Sequence, residues 1–188
     1  MVSLGEKHAS PATPNAAPKA TSTGAPAAPK TGGRGRSGAP RTANITDSRI
    51  AASAMLADLR GGLLLDAAFD RHAAPLEIRD RRWVQELVWG MLRRRGWIDA
   101  VLAPRVTSGV ARLDADVADL LRLGVYQLLF MGSVPPYAAI AQTVELAKQR
   151  HGIGAGKLVN AILRRVDRER DTLEPLVPTD PIDALVMQ

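Results

Sequence analysis

Residues 121–165 read LRLGVYQLLFMGSVPPYAAIAQTVELAKQRHGIGAGKLVNAILRR, and this stretch decides the fold. It contains three helical patterns separated by two breaks. The first pattern begins upstream and runs from about Asp114 to Met131. Val117, Leu120, Leu121, Gly124, Val125 and Leu128 fall at i, i+3, i+4, i+7, i+8 and i+11, one stripe of an α-helix. Asp114 and Asp116 suit the positive end of its dipole. Pro135-Pro136 then forces a break, because proline lacks the N–H and restricts the residue before it. Tyr137 to Arg150 is helical again, with Ile140, Val144 and Ala147 inward and Gln142, Lys148 and Gln149 outward. Gly152, Gly154 and Gly156 mark a connection. Lys157 to about Arg170 closes the set, with Leu158, Val159, Ile162, Leu163 and Val166 as its apolar face.

The same period extends toward the N-terminus. Thr46, Asp47 or Ser48 can cap a helix over about Arg49–Leu59, with Ile50, Ala54 and Met55 inward and Gly61-Gly62 ending it. A short helix is expected over Leu63–His72, before Pro75. From Arg79 to Leu92, Val84, Leu87, Val88 and Met91 repeat at helical spacing. Gly90 inside this helix costs about 1 kcal/mol relative to alanine, so close packing against a neighbour is its expected use. A further short helix covers Trp97–Leu102. No β-period and no fixed repeat is present. The expected architecture is all-α, a compact bundle of six or seven helices.

The chain has 188 residues, and they divide by composition. Residues 1–44 are rich in Pro, Ala, Gly, Thr and Ser, and cannot bury enough apolar surface to offset their ordering entropy; a disordered tail is expected there. Residues 45–172 are the right size for one helical domain with a core. Residues 173–188, punctuated by Pro175, Pro178 and Pro181, read as a linker. The net charge is +6, and six Lys/Arg against Glu6 place +5 of it in the tail, leaving +1 for the rest. A basic arm beside a near-neutral domain points to a polyanion such as nucleic acid, with a solubilising leader as the alternative.

Catalytic chemistry is poorly served. No cysteine is present, which removes disulfides, thiolate metal sites and a thiol nucleophile, and the three histidines form no metal-ligand spacing. No cofactor is expected. The sequence contains neither a signal-like apolar run nor a membrane-length segment, so the cytoplasm is the default compartment. Gly152-Ile-Gly-Ala-Gly156-Lys157 lacks the spacing of a phosphate loop and follows no strand; a helix connection is the simpler reading, with a weak backbone anion site at Gly156 and Lys157 as the alternative. Trp83, Trp89 and Trp97 read as core, with a base-stacking platform as the alternative. The arginines are the main resource: Arg79, Arg81 and Arg82 before Trp83, the run Arg93-Arg94-Arg95, and Arg164, Arg165, Arg168 and Arg170. Their planar forks suit phosphate, although neighbouring acids also fit a solvated mixed-charge face.

Several stretches together resemble the NusB family. Arg49 with Ala52 and Leu56 is similar to its first helix. Arg82-Trp-Val-Gln-Glu-Leu-Val-Trp-Gly-Met-Leu-Arg93, Leu121-Arg-Leu-Gly-Val-Tyr-Gln-Leu-Leu-Phe-Met131, Val134-Pro-Pro136, Val144-Glu-Leu-Ala-Lys148 and Gly156-Lys-Leu-Val-Asn-Ala-Ile-Leu-Arg-Arg165 follow in family order. The resemblance implies an all-helical RNA-binding fold. It occurs as a free-standing transcription antitermination factor that works with a small-subunit ribosomal protein, or as the N-terminal domain of RsmB-type ribosomal RNA cytosine methyltransferases. The second and last long stretches favour the methyltransferase branch. Such enzymes use a cysteine nucleophile and a methyl-donor-binding α/β domain; this sequence carries neither, and stops after a linker-like stretch, so it is expected to be the non-enzymatic RNA-binding part. On this reading Arg49, Arg81, Arg82, Arg93, Arg94, Lys157 and Arg164 contact RNA, with Arg34, Arg36 and Arg41 as a non-specific arm. A protein-interaction scaffold without RNA binding is the third alternative.

Overall fold

A computed structural model describes residues 45–173. The expected disordered tail, its Arg34, Arg36 and Arg41, and the linker-like residues 174–188 lie outside the described residues. Within them seven α-helices follow one another: α1 (Asp47–Arg60), α2 (Leu65–Ala73), α3 (Ile78–Arg93), α4 (Arg95–Leu102), α5 (Ala115–Phe130), α6 (Pro136–Arg168) and α7 (Arg170–Leu173). Two single 3-10 turns, Ala103–Arg105 and Val110–Arg112, join α4 to α5. No strand occurs among the described residues.

The architecture is built around α5. Every residue from Val117 to Leu128 is buried, as expected of a helix surrounded by others rather than lying on a surface. Asp114 caps it: its carboxylate accepts from the backbone N–H of Asp116 at 2.9 Å and of Val117 at 3.4 Å. Two glycines let neighbours approach. A Cβ at Gly90 of α3 would lie 1.8 Å from the Tyr126 hydroxyl, so the tyrosine ring fills the place of a side chain there. A Cβ at Gly124 would lie 2.7 Å from a methyl of Leu163 in α6. Residues two apart on a helix point about 200° apart. Gly124 and Tyr126 therefore direct α6 and α3 to opposite sides of α5.

The expected pair of helices with a glycine break between them is present within α6, and the break is a single residue rather than a loop. Only Gly152 leaves helical geometry, at φ 81° and ψ 179°, a combination open essentially to glycine alone. Gly154 and Gly156 continue the helix. A Cβ at Gly156 would lie 3.0 Å from the Lys148 Cβ, although eight residues of straight helix would separate them by about 12 Å. Gly152 thus folds the second half of α6 back on the first, and Gly156 is small because it sits inside that elbow. Gly156 is buried inside that elbow, in the first turn after the break.

Two apolar assignments also shift, and one polar one. Ile50 is 42% exposed and Leu158 is 38% exposed, whereas both were expected inside. On α1 the inward face is Ala52, Met55 and Leu56 together with polar Ser48, Arg49 and Ser53. On α6 it is Gly156, Val159, Ile162, Leu163 and Val166, which leaves Leu158 off the stripe. Gln142, expected outward, turns toward α1 and accepts from the Thr46 N–H at 3.1 Å.

Candidate functional site

The cations of this domain fall into two populations. The first is paired across helices. Arg60 of α1 bonds Asp119 and also reaches Asp116 at 3.2 Å. Arg122 of α5 contacts Asp99 of α4 at 2.7 Å and Asp119 at 2.8 Å. Arg150 and His151, at the end of the first half of α6, meet Asp116 at 3.3 and 2.8 Å. Burial works against the Arg122 charge, but Asp99 and Asp119 outweigh it and raise its pKa above the ordinary arginine value. Burial likewise opposes ionisation of Asp116, yet the hydrogen bond from His151 and the charges of Arg150 and Arg60 hold its carboxyl below the usual range. These groups pin α1, α4, α5 and α6 together and leave little charge over for a ligand.

Arg49 is a correction. Expected to reach RNA, it is 8% exposed and faces the core. Its Nε donates to Gln127 Oε1 at 2.8 Å, and its Nη1 donates to Thr46 Oγ1 and Gln142 Oε1, each at 3.1 Å. Its guanidinium lies 4.8 Å from the centre of the Trp83 ring. Desolvation pushes its pKa down to about 10, still far above neutrality, so it stays charged at pH 7. The groups it bonds are neutral and belong to this fold, so it joins α1 to α5 and α6.

The second population is exposed. On α3, Arg82, Gln85, Glu86, Trp89 and Arg93 line one open, shallow groove, with the two arginines furthest apart along the helix. These five positions share one face at i, i+3, i+4, i+7 and i+11. On the second half of α6, Lys157, Arg164 and Arg168 are exposed on one stripe that contains no acidic residue. Arg164 is steadied by its own helix, its Nε donating to Asn160 Oδ1 at 3.0 Å. Arg79 and Arg168 extend the two stripes without being among the expected contacts. Their helical spacing from Arg82 and Arg164 was the available signal.

The remaining two expected contacts are tethered by rings. Arg81 is half-buried with its guanidinium 5.9 Å from the Phe69 ring, and Arg94 is half-buried 4.6 Å from the Phe130 ring. The structure therefore brings Arg82 and Arg93 to one groove and Lys157 and Arg164 to one stripe. It sets these two surfaces on helices separated by α5, and keeps Arg49 apart from both.

The tryptophans are each half-buried and packed against the core. Trp89 meets Phe69 edge-on with ring centres 5.3 Å apart, and Trp97 meets Phe130 edge-on at 5.5 Å. No described helix is long and apolar enough to cross a membrane.

An all-helical module with exposed cations on two outer helix faces is the class that fold and surface define. The chain belongs to the NusB family, which matches residues 46–168. Ribosomal RNA small subunit methyltransferase B of Pseudomonas syringae pv. tomato is 34% identical over 132 residues, covering 70% of this chain and 29% of that protein. Transcription antitermination protein NusB of Synechocystis sp. is 32% identical over 141 residues, covering 73% of this chain and 58% of that protein. Among solved structures, a chain in the complex of antitermination factors NusB and NusE with dsRNA superposes with a TM-score of 0.58 at 26% identity, covering 65% of this chain and 94% of that one. The chain spans about a quarter to a third of the length of the first methyltransferase relatives it matches.

Proposed function

We propose that this chain is an RNA-binding module that holds ribosomal RNA for a cytosine methyltransferase of the RsmB type in the bacterial cytoplasm. The observation that carries the reading is the pair of exposed cationic surfaces, Arg82 with Arg93 on α3 and Lys157 with Arg164 on α6, which form no ion pair among the described residues while the inner arginines are neutralised. Arg81 and Arg94 add shorter-reach contacts beside the α3 groove, and Arg34, Arg36 and Arg41 act as a non-specific arm. A methyl transfer through a cysteine needs a residue type that these 188 residues lack, so the role read here is to hold RNA. Relatives at 34–35% identity that carry the methyltransferase B name support that branch.

A second reading, a free-standing antitermination factor assembled with a small-subunit ribosomal protein, draws on the larger share, 58%, that the chain covers of the Synechocystis NusB relative. The test is a titration of the full chain against a short ribosomal RNA hairpin. Affinity should fall steeply from about 50 to 200 mM salt, with the logarithmic slope reduced by nearly one for each phosphate contact removed. Arg82→Ala with Arg93→Ala should lower that slope by about two. Absence of binding at the lower salt overturns the RNA reading. Salt-stable association with a small-subunit ribosomal protein moves the assignment to the antitermination branch.

A further inference from the structure

We propose that the α3 groove is a base-reading site, taking one unstacked nucleotide of single-stranded RNA and selecting bases with an exocyclic amino group over uracil. The inference rests on the RNA-binding reading and goes beyond it. The juxtaposition that carries it is Arg82 and Arg93, furthest apart along the helix, in a groove of about 370 Å³ that Trp89, Gln85 and Glu86 also line.

The decisive residue is Glu86. A face that only gathered phosphates would gain nothing from a carboxylate at its centre, where it repels the ligand. Glu86 is exposed and makes no ion pair among the described residues. A ligand that brings a donor to it resolves the conflict. The exocyclic amino group of cytosine or adenine is such a donor, and a carboxylate accepts from it. Uracil presents a carbonyl oxygen at the corresponding position, so acceptor would face acceptor. Gln85, exposed one residue earlier, has both a donor and an acceptor for the rest of the base edge.

Trp89 supplies the stacking partner. Its ring is half-exposed in the groove and is fixed from behind by the edge-on contact with Phe69. Stacking an unpaired base on an aromatic ring is how single-stranded RNA is usually held. Arg82 and Arg93 are separated by about 16 Å along the helix, so they reach phosphates on either side of the docked nucleotide rather than the base itself.

The experiment measures binding of the full chain to labelled single-stranded oligo-C, oligo-A and oligo-U, and to a blunt duplex, at one low salt concentration. Oligo-C and oligo-A should bind at least about fivefold more tightly than oligo-U. Glu86→Gln, an exposed and isosteric change, should remove most of that preference. Trp89→Leu should weaken all single strands by about fivefold or more while sparing the duplex. Because Trp89 packs on Phe69, Glu86→Gln carries the test if Trp89→Leu unfolds the chain. Equal binding of the three homopolymers, or an unchanged preference in Glu86→Gln, overturns base reading and leaves the groove as a phosphate contact. No binding to any RNA overturns the RNA reading as well.

Discussion

Replacing Arg49 should separate stability from RNA binding. The Arg49→Ala change removes three donated hydrogen bonds, to Gln127, Thr46 and Gln142, and a cation over the Trp83 ring. Gln127 is 1% exposed, and its own amide donates to the Leu123 carbonyl at 3.0 Å, so its orphaned Oε1 cannot turn to water. A buried acceptor left without a donor costs about 1–3 kcal/mol. The lost ring contact adds about 0.5–2 kcal/mol. Relief from burying a charge offsets part of this, as the lowered Arg49 pKa indicates. The expected net loss is about 2–3 kcal/mol. For a domain of this size that lowers Tm by roughly 3–5 °C per kcal/mol, or about 10 °C overall. Arg49→Met should recover part of the loss, since it keeps the apolar stem but still orphans Gln127. Urea and thermal unfolding followed by circular dichroism measure the stability, and the salt slope of RNA binding at a temperature where both proteins are folded measures the contacts. Arg82→Ala should behave inversely: little change in Tm and a slope lowered by about one. An Arg49→Ala protein of unchanged stability and reduced slope would falsify the placement of Arg49 as a core residue.

Gly90→Ala should destabilise the domain by about 1–3 kcal/mol, because the new methyl occupies the site of the Tyr126 ring; chemical denaturation checks this, and a stable variant means α3 can slide on α5. Gly152→Ala should cost about 1–3 kcal/mol through backbone strain alone, since nothing lies within 4 Å of its would-be Cβ. Acid should also weaken the fold. The folded Asp116 carboxyl has a depressed pKa, so its stabilisation is complete above the unfolded value of about 3.9 and is lost as pH falls through the folded value. Unfolding measured from pH 6 to pH 2 should show a shallower loss for Asp116→Asn than for the parent; parallel curves would remove Asp116 as a contributor.

The helices were legible because their signals are local. Pro135-Pro136 and the apolar stripe of α5 need no knowledge of distant residues. The register of α1 was not legible, for a reason that Arg49 makes plain. Sequence reading places an arginine outside and an isoleucine inside, but here Arg49 is inside and Ile50 is outside. The residues that reverse the preference, Gln127 and Gln142, lie 78 and 93 positions away. Similarly, three glycines between His151 and Lys157 announce a break, but only the fold-back onto Lys148 decides that Gly152 turns and Gly156 packs. The α3 groove was half-visible: Arg82, Trp89 and Arg93 stood out by residue type, whereas the grouping with Gln85 and Glu86 follows from which face of α3 the other helices leave uncovered.

Near-neutral net charge in the domain conceals how its cations are used, and this bears on the salt experiment. Raising salt screens the interhelical pairs as well as phosphate contacts, so loss of RNA binding could be mistaken for loosening of the fold. Burial separates the two effects. The side chains of Arg122 and Asp119 are 9% and 11% exposed, and pairs that deep are screened much less than exposed ones. Arg82, Arg93, Lys157 and Arg164 stand in solvent, where about 0.15 M salt has a screening length near 8 Å. Between the two salt concentrations the fold should therefore hold while the surface contacts weaken. Circular dichroism that is unchanged across the same range assigns the slope to the α3 and α6 surfaces; a helical signal that falls with the affinity would assign it to the Arg60, Asp116, Asp119 and Arg122 network instead.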